Sequence, residues 1–232
     1  MSSPPPPRHD PPPRALTARG QRAAAGCAAV FLVSAGVLTL LVASAWTPLM
    51  DLDRGVVDAL HRSAVADPGT TRASRILTDW VWDPWTVRLL LAAAVVVLWV
   101  RRDRVAALWA AGAGVLGAAV QQALKAFVDR RRPAFPDPVD TAHFAAFPSG
   151  HAMTAALGCG LLVWLVRRWS PSRRLLAAAA AAAAVSIVGA GLTRVHLGVH
   201  WPSDVLAGWL LGLAAAALAV YGAERRTAPR SG

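Results

Sequence analysis

Six long apolar segments alternate with shorter polar segments along this chain. The first, residues 23–46, has no charged side chain, and each of the others carries at most one Asp, Glu, Lys or Arg. Because an α-helix rises 1.5 Å per residue, about 20 apolar residues cross the ~30 Å hydrocarbon core of a bilayer. The later segments are residues 86–100, 105–128, 150–166, 175–192 and 203–221. The pattern predicts an all-α fold, a polytopic membrane helical bundle with six transmembrane helices.

Two of these segments need a choice between interpretations. The small residues 43–45 resemble a signal-peptide cleavage site, but the apolar run before them is about twice as long as a signal-peptide core, which favours a retained first span. Residues 86–100 are short for a span. Trp82, Trp85 and an Arg88 side chain reaching toward the interface would extend this segment.

The other segments divide the chain into a membrane domain, residues 23–222, and two tails. Residues 1–22 contain runs of four and three prolines and several arginines, which predicts a disordered cytoplasmic tail. Residues 223–232 form a short basic tail. Within the membrane domain, residues 51–86 mix Asp, Arg, Pro and Trp, so we expect an outer loop that contains a short amphipathic helix.

Arginine clusters predict the orientation in the membrane. Six spans place both termini on one side, together with the clusters at residues 101–104, 167–174 and 225–230. The positive-inside rule makes this side cytoplasmic. The outer loops are then residues 51–86, 129–148 and 193–202. The middle loop carries positive charge on the outside of the plasma membrane, and this exception calls for a functional reason.

Composition supports the membrane assignment and argues against a nucleic-acid partner. The chain is 55% hydrophobic and 16% charged, whereas soluble domains have roughly 45–50% apolar and about 25% charged residues. The net charge is +11. Most of the arginines flank apolar segments, as membrane orientation requires, so we expect the bilayer and no nucleic acid as a partner.

Three polar clusters interrupt the apolar pattern, and all three map to the predicted outer side. The first, "KAFVDRRRP", holds the only lysine of the chain, Lys125, two helical turns before Arg132. The second, "PSGH", residues 148–151, opens the fourth span, where the free N–H groups of a helix start bind anions and Ser149 is a candidate N-cap. The third, "TRVHLGVHWPSD", residues 193–204, joins the last two spans.

The three clusters supply the groups that phosphoryl transfer needs. Cations and oriented N–H donors stabilise the oxygens of the moving phosphoryl group. One histidine can attack phosphorus while a carboxylate holds its other nitrogen, and a second histidine can protonate the departing oxygen. Carboxylates able to hold Mg²⁺ are scarce here, so this chemistry predicts neither a metal nor another cofactor.

In this order, the clusters resemble the three signature motifs of the type 2 phosphatidic acid phosphatase superfamily, over about residues 105–221. The resemblance implies a metal-independent phosphatase that forms a phosphohistidine. It implies that the catalytic residues are His200 as nucleophile, His151 as general acid and Asp204 as the partner of His200. It implies that the phosphate is held by Lys125, Arg132, Arg194, Ser149 and Gly150. Thr193 stands where the family usually has serine, and we expect little consequence because the hydroxyl is kept.

The predicted function is therefore hydrolysis of a phosphate monoester or diphosphate carried on a lipid, at the outer side of the plasma membrane. Phosphatidic acid, phosphatidylglycerol phosphate and a polyprenyl diphosphate are the substrate candidates, with a slight preference for the last. Vanadium-dependent haloperoxidases share the same pocket, but they are soluble proteins, so six membrane spans argue against this alternative. A lipid-phosphate binding or transport module would need the cations but not the two histidines and Asp204, which are all present here. A multi-span transporter would carry charges at mid-membrane in several helices, which this sequence does not.

Other polar residues near the motifs receive no catalytic role. Arg130 and Arg131 are interpreted as headgroup contacts or surface charge. His196 lies between Arg194 and the predicted nucleophile, and we expect it in the pocket wall. His143 and His61 have no partner in the sequence.

Overall fold

The computed structural model describes residues 14–227, which form eight α-helices and one π-helical turn. The helices are α1 (Ala18–Ala43), α2 (Thr47–Ala66), α3 (Pro68–Ile76), α4 (Pro84–Val100), α5 (Arg104–Val128), α6 (Gly150–Trp169), α7 (Arg173–His196) and α8 (Pro202–Thr227). The π-helical turn, Leu77–Val81, joins α3 to α4. The predicted all-α class is confirmed.

Six helical segments are long and apolar enough to cross a membrane: α1, the segment Pro68–Val100, α5, α6, α7 and α8. This confirms the predicted six-helix membrane bundle. Large apolar side chains on its outside, such as Leu40, Val100 and Leu116, are 67–75% exposed to the surroundings. A continuous apolar exterior of this kind is typical of a surface that contacts lipid.

The segment 51–86 differs from the predicted loop because it is almost entirely helical. α2 is an amphipathic helix of 20 residues, and Asp53, Val57, His61 and Ala64 form its buried face at helical spacing. The Asp67 side chain caps α3 by accepting from the N–H groups of Gly69 and Thr70, at 3.0 and 3.1 Å. Short cap signals inside a polar stretch therefore produced helices where the composition indicated a loop.

The N-terminal end of α1 extends into the segment predicted as a tail. The helix begins at Ala18, and Thr17 caps it by accepting from the N–H of Gly20 at 3.2 Å. The N–H of Leu16 donates to the Glu224 carboxylate at 2.6 Å, which fixes this end against α8. Residues 223–227, predicted as part of the C-terminal tail, instead continue α8. The remaining residues of the predicted tails, 1–13 and 228–232, lie outside the described residues.

Helices α6 and α8 form the centre of the bundle. In each of these two helices, half of an apolar stretch of 18 residues is buried inside the protein, compared with 28% or less in the other spans. A close approach between these two helices depends on Gly208, because a Cβ there would lie 2.7 Å from the carbonyl oxygen of Ser149. This contact joins the start of α8 to the start of α6 and brings two of the three motifs together.

The third motif reaches the same end of the bundle through the end of α5. α5 stops at Asp129, which has the left-handed φ of 42°, and the chain then runs without regular secondary structure to the start of α6. α7 ends at His196 and α8 begins at Pro202, where proline suits the first position of a helix. The ends of α5 and α7 and the starts of α6 and α8 therefore surround one space.

Candidate active site

A cavity of about 270 Å³ lies at this end of the bundle. It is lined by Gln122, Lys125, Arg132, Ala142, His143, Phe144, Gly150, His151, Arg194 and His200. Six of the eight residues singled out by the motifs are in this lining. The other two, Ser149 and Asp204, are fully buried beside it. The structure thus brings together side chains from four separate parts of the chain.

Two of the cations in the cavity are held by backbone carbonyls. The Lys125 ammonium donates to the carbonyl of Ala145. The Arg132 guanidinium donates to the carbonyls of Phe144 at 2.9 Å, His143 at 3.1 Å and Val199 at 2.5 Å. Burial and the neighbouring Arg194 lower the pKa of Arg132 to about 10, so it stays charged at neutral pH. Neutral partners orient these cations without cancelling their charge.

The third cation, Arg194, is buried at 6% exposure and is only loosely paired. Its nearest carboxylate oxygen, on Asp140, is 3.7 Å away, and the Thr78 hydroxyl is 3.5 Å away. Its Nε has no hydrogen-bond partner among residues 14–227. Buried guanidinium donors normally find acceptors, so an anion in the cavity would complete the bonding of this side chain.

The start of α6 adds backbone donors to the same cavity. Ser149 is the N-cap residue, as predicted, but its hydroxyl makes no capping bond and is buried without a partner within the described part of the chain. The N–H groups of the first helical turn lack partners inside the helix and favour an anion. A Cβ at position 150 would lie 2.5 Å from Nε2 of Gln121, so a larger residue there would require the Gln121 side chain to move.

The bonding of His200 identifies which ring nitrogen carries the lone pair. Nε2 lies 3.1 Å from the Arg132 guanidinium, which can only donate, so Nε2 carries the lone pair. Nδ1 then carries the hydrogen and faces the Asp204 carboxylate at 3.4 Å. Burial and the charges of Arg132, Arg194 and Lys125 hold the pKa of His200 well below its ordinary value. The ring is therefore neutral, with the lone pair of Nε2 next to Arg132.

Arg130 does not lie on the surface, which corrects the interpretation from sequence. Its side chain is only 11% exposed and donates to Asp204 Oδ1 and Asp53 Oδ2, both at 2.7 Å. Sequence reasoning assigned no role to Asp53, although it is an acidic residue on the buried face of the amphipathic helix α2. A carboxylate at such a position is a detectable signal of a buried ion pair.

Comparison with known proteins gives the family of this site. The family model described as "PAP2 superfamily" matches residues 106–228, which is more than half of the chain and includes all three motifs. The chain belongs to the PAP2 superfamily. The crystal structure of a transmembrane PAP2 type phosphatidylglycerolphosphate phosphatase from Bacillus subtilis has the same fold, with a TM-score of 0.72. The match covers 85% of this chain and 98% of that one at 24% identity.

Two curated relatives in the PAP2 superfamily are phosphatases by name. Phosphatidylglycerophosphatase B of Bacillus subtilis is 35% identical over 96 residues, which is 40% of this chain and 46% of that protein. The chain therefore matches less than half the length of this relative. Decaprenylphosphoryl-5-phosphoribose phosphatase of Mycobacterium tuberculosis is 32% identical over 184 residues, 75% of this chain and 94% of that protein.

Three further histidines of this PAP2 protein have surroundings that the sequence did not predict. His196 is not part of the cavity lining, contrary to the expected pocket wall, and its Nδ1 is 3.1 Å from the Ser74 hydroxyl. His143 does line the cavity. His61 is buried, stacks on Phe135 with ring centroids 3.7 Å apart, and bonds to Asp137 at 3.1 Å. Their partners lie too far along the chain for spacing to reveal them.

Proposed function

We propose that this protein is an integral membrane phosphatase that hydrolyses a phosphate monoester or diphosphate on a lipid through a phosphohistidine. One observation supports this most directly: Nε2 of His200 accepts from one of the three cations that line the cavity, while its Nδ1 faces a buried carboxylate. A site that only bound lipid phosphate would need the cations but would gain nothing from a nucleophile held in one tautomer.

The proposed reaction begins with the phosphate group bound by Lys125, Arg132 and Arg194, with the Ser149 hydroxyl and the N–H groups at the start of α6. The phosphate displaces the Arg132 contact to Nε2 of His200, which then attacks phosphorus. The new N–P bond forms as the bond between phosphorus and the departing oxygen breaks, which is the lipid oxygen of a monoester or the bridging oxygen of a diphosphate, and His151 donates a proton to this oxygen. Asp204 stabilises the positive charge that develops on the His200 ring.

The second step releases inorganic phosphate. Water attacks the phosphohistidine, His151 accepts a proton from this water, and the N–P bond breaks to restore neutral His200. The developing charge on the phosphoryl oxygens is met in both steps by fixed cations and N–H donors, which do the work that Mg²⁺ does in other phosphoryl-transfer enzymes. We therefore expect a metal-independent reaction.

The names of two relatives support the choice of lipid. The Mycobacterium relative matches along most of this chain, and its name specifies a decaprenyl-linked phosphate. The Bacillus relative is named for phosphatidylglycerophosphate. We favour a polyprenyl-linked phosphate or diphosphate, with phosphatidylglycerol phosphate and phosphatidic acid as the alternatives.

Phosphate release by the detergent-purified protein tests the reaction. The substrates are a polyprenyl diphosphate, phosphatidylglycerol phosphate and phosphatidic acid, each with and without EDTA. We expect release from at least one lipid, unchanged by EDTA and abolished in His200→Ala. His196→Ala is the matched control, since it removes a histidine four residues away that is not in the cavity lining. Binding of lipid phosphate without release would instead favour a non-catalytic binding module.

Orientation is a separate part of the proposal. Both termini are proposed to be cytoplasmic and the cavity to open on the extracytoplasmic side of the plasma membrane, because the Arg clusters at residues 101–104 and 167–174 lie at the other end of the bundle. A reporter fused after Arg226 should be active only inside the cell. An external signal from this fusion would overturn the orientation without affecting the proposed chemistry.

A further inference from the structure

Behind the cavity, Arg130 connects two buried carboxylates that come from distant parts of the chain. One arm of its guanidinium donates to Asp204 Oδ1 and the Ser203 hydroxyl, each at 2.7 Å. The other arm donates to Asp53 Oδ2 at 2.7 Å and contacts the Met50 sulfur at 3.3 Å. The guanidinium also lies over the Trp201 ring, 5.3 Å from its centroid. Every partner is part of α2, the start of α8 or the turn before it.

Asp53 fixes the start of α8 from outside that helix. Its Oδ1 accepts from the backbone N–H of Ser203 at 3.0 Å, and its Oδ2 accepts from the Ser203 hydroxyl at 2.5 Å. The N–H groups in the first turn of a helix have no partner within it, and an acidic side chain is favourable there. α2 therefore fixes the first turn of α8, from which the Asp204 side chain faces His200.

Asp204 itself is fully buried, so its position depends on these partners. Oδ1 accepts from Arg130, while Oδ2 accepts from the Trp201 N–H at 2.9 Å and faces His200 Nδ1 at 3.4 Å. Without Arg130, two carboxylates would remain buried close together with no cation bonded to either. Asp204 would then be free to turn toward other donors, and Nδ1 of His200 would lose its fixed partner.

We propose that Arg130, held by Asp53, is a positioning residue that keeps Asp204 charged and aligned with His200 during phosphoryl transfer. This inference rests on the proposed function. Arg130 is not part of the cavity lining, and its side-chain hydrogen bonds within residues 14–227 go to Asp204, Ser203, Asp53 and Met50, so it acts through Asp204. A planar guanidinium bridges two carboxylates at once, which a lysine ammonium cannot do with the same geometry.

Kinetics of Arg130→Lys against Arg131→Lys test this role. Arg131 is exposed and adjacent, so the control makes the same change with the same charge. We expect kcat to fall about 10- to 100-fold in Arg130→Lys with KM nearly unchanged, which is the loss seen when a residue that orients a metal-binding side chain is mutated. We expect no change in Arg131→Lys. Asp53→Asn should show a smaller loss of the same kind, with Asp51→Asn, 66% exposed on the same helix, as its control.

A double variant separates positioning from general destabilisation. If Arg130 acts through Asp204, then Arg130→Lys combined with Asp204→Asn should be no slower than Asp204→Asn alone. A purely structural role would multiply the two losses, and that result would overturn the proposal. So would wild-type kcat in Arg130→Lys.

Binding of orthovanadate provides a readout that does not need lipid hydrolysis. Vanadium accepts a histidine nitrogen as a further ligand, so orthovanadate should raise the Tm of the wild type and of Arg131→Lys, and raise that of Arg130→Lys less. If the wild type binds vanadate but releases no lipid phosphate, the proposed function fails and this difference alone decides the role of Arg130. The proposed role of Arg130 would be overturned if vanadate raised the Tm of Arg130→Lys and of the wild type equally, or if it raised neither.

Discussion

Two buried arginines at opposite ends of the bundle, Arg168 and Arg194, differ in how their charges are paired. Arg168 donates to the Asp103 carboxylate at 2.7 Å and to Glu224 at 3.1 Å, and Glu224 also accepts from the Trp164 indole at 2.9 Å. Arg194 has no carboxylate oxygen closer than 3.7 Å and an Nε without a partner among the described residues. Burial alone therefore does not identify a functional cation.

The comparison shows that a buried cation with carboxylate partners serves the structure of this fold, whereas a buried cation without them is available to bind an anion. Asp103 and Glu224 offset the desolvation of Arg168, so this cluster locks the ends of α5, α6 and α8 together. Around the cavity, Lys125 and Arg132 are held by neutral carbonyls and Arg194 is only loosely paired, so the repulsion among these cations persists until an anion binds. Binding of an anionic ligand therefore stabilises this site, whereas the Arg168 cluster is stabilised by carboxylates of the protein itself. The following variants test this difference between the two regions.

The largest effect is expected for Arg194→Leu. Loss of one cation that meets the phosphoryl oxygens should lower kcat/KM for lipid phosphate about 100- to 1000-fold. The Tm of the purified protein should stay the same or rise, because the variant relieves repulsion with Arg132 and leaves no fully buried carboxylate unpaired. Activity and thermal unfolding measured on one preparation check both parts, and a large fall in Tm would contradict the comparison.

Arg168→Leu should show the converse behaviour. Removing one partner of a buried ion pair costs about 3–5 kcal/mol of stability, since Asp103 and Glu224 remain buried without their cation. The Tm should fall, while kcat per folded molecule stays at the wild-type value because the cavity is at the other end of the bundle. Arg174→Leu, at an exposed position of the same arginine cluster, is the control and should change neither quantity.

Lys125→Arg tests whether the site needs only a charge at that position. Lys125 is the only lysine among 24 basic residues, and it lines the cavity while donating to the carbonyl of Ala145. A bulkier, planar guanidinium cannot occupy the same place as a compact ammonium. We expect normal membrane insertion and Tm with at least about a 10-fold loss of kcat. Full activity would show that any cation suffices.

The pH dependence of activity tests the environment of His200. Because burial and nearby cations hold its pKa well below the ordinary value, His200 stays neutral and nucleophilic as the pH falls below about 6.5. Arg132→Gln removes one of these cations and so raises this pKa. The acidic limb of its pH–activity profile should begin at a higher pH than in the wild type, whatever the residual rate. Ionisation of the substrate is common to both profiles, so coincident limbs would contradict the assignment.

The spacing of residues along the chain accounts for what could be predicted here. The apolar segments and the arginine clusters placed Lys125, Arg132 and His151 on one side of the membrane, because each lies near the end of a recognisable apolar segment, and the resemblance to the family motifs joined them in one site. The roles of Arg130 and Arg168 were missed, since their carboxylate partners Asp53 and Glu224 lie 77 and 56 positions away. Pairing across such distances depends on tertiary packing, and a run of arginines in sequence gives no indication of which one is buried.

The smallest effect is expected at Thr193, where the family usually has serine. Its hydroxyl donates to the carbonyl of Gly189 at 2.9 Å, within α7, and does not line the cavity. Thr193→Ser keeps this bond and removes one methyl group, so kcat and KM should stay at wild-type values, with a stability change of about 1 kcal/mol or less. Thr193→Val has the same shape without the hydroxyl, and it should lower the Tm more than Thr193→Ser while kcat remains. If Thr193→Val instead lost activity at an unchanged Tm, the hydroxyl would have to act on Arg194 next to it, and the functional part of α7 would begin one residue earlier than the cavity lining indicates.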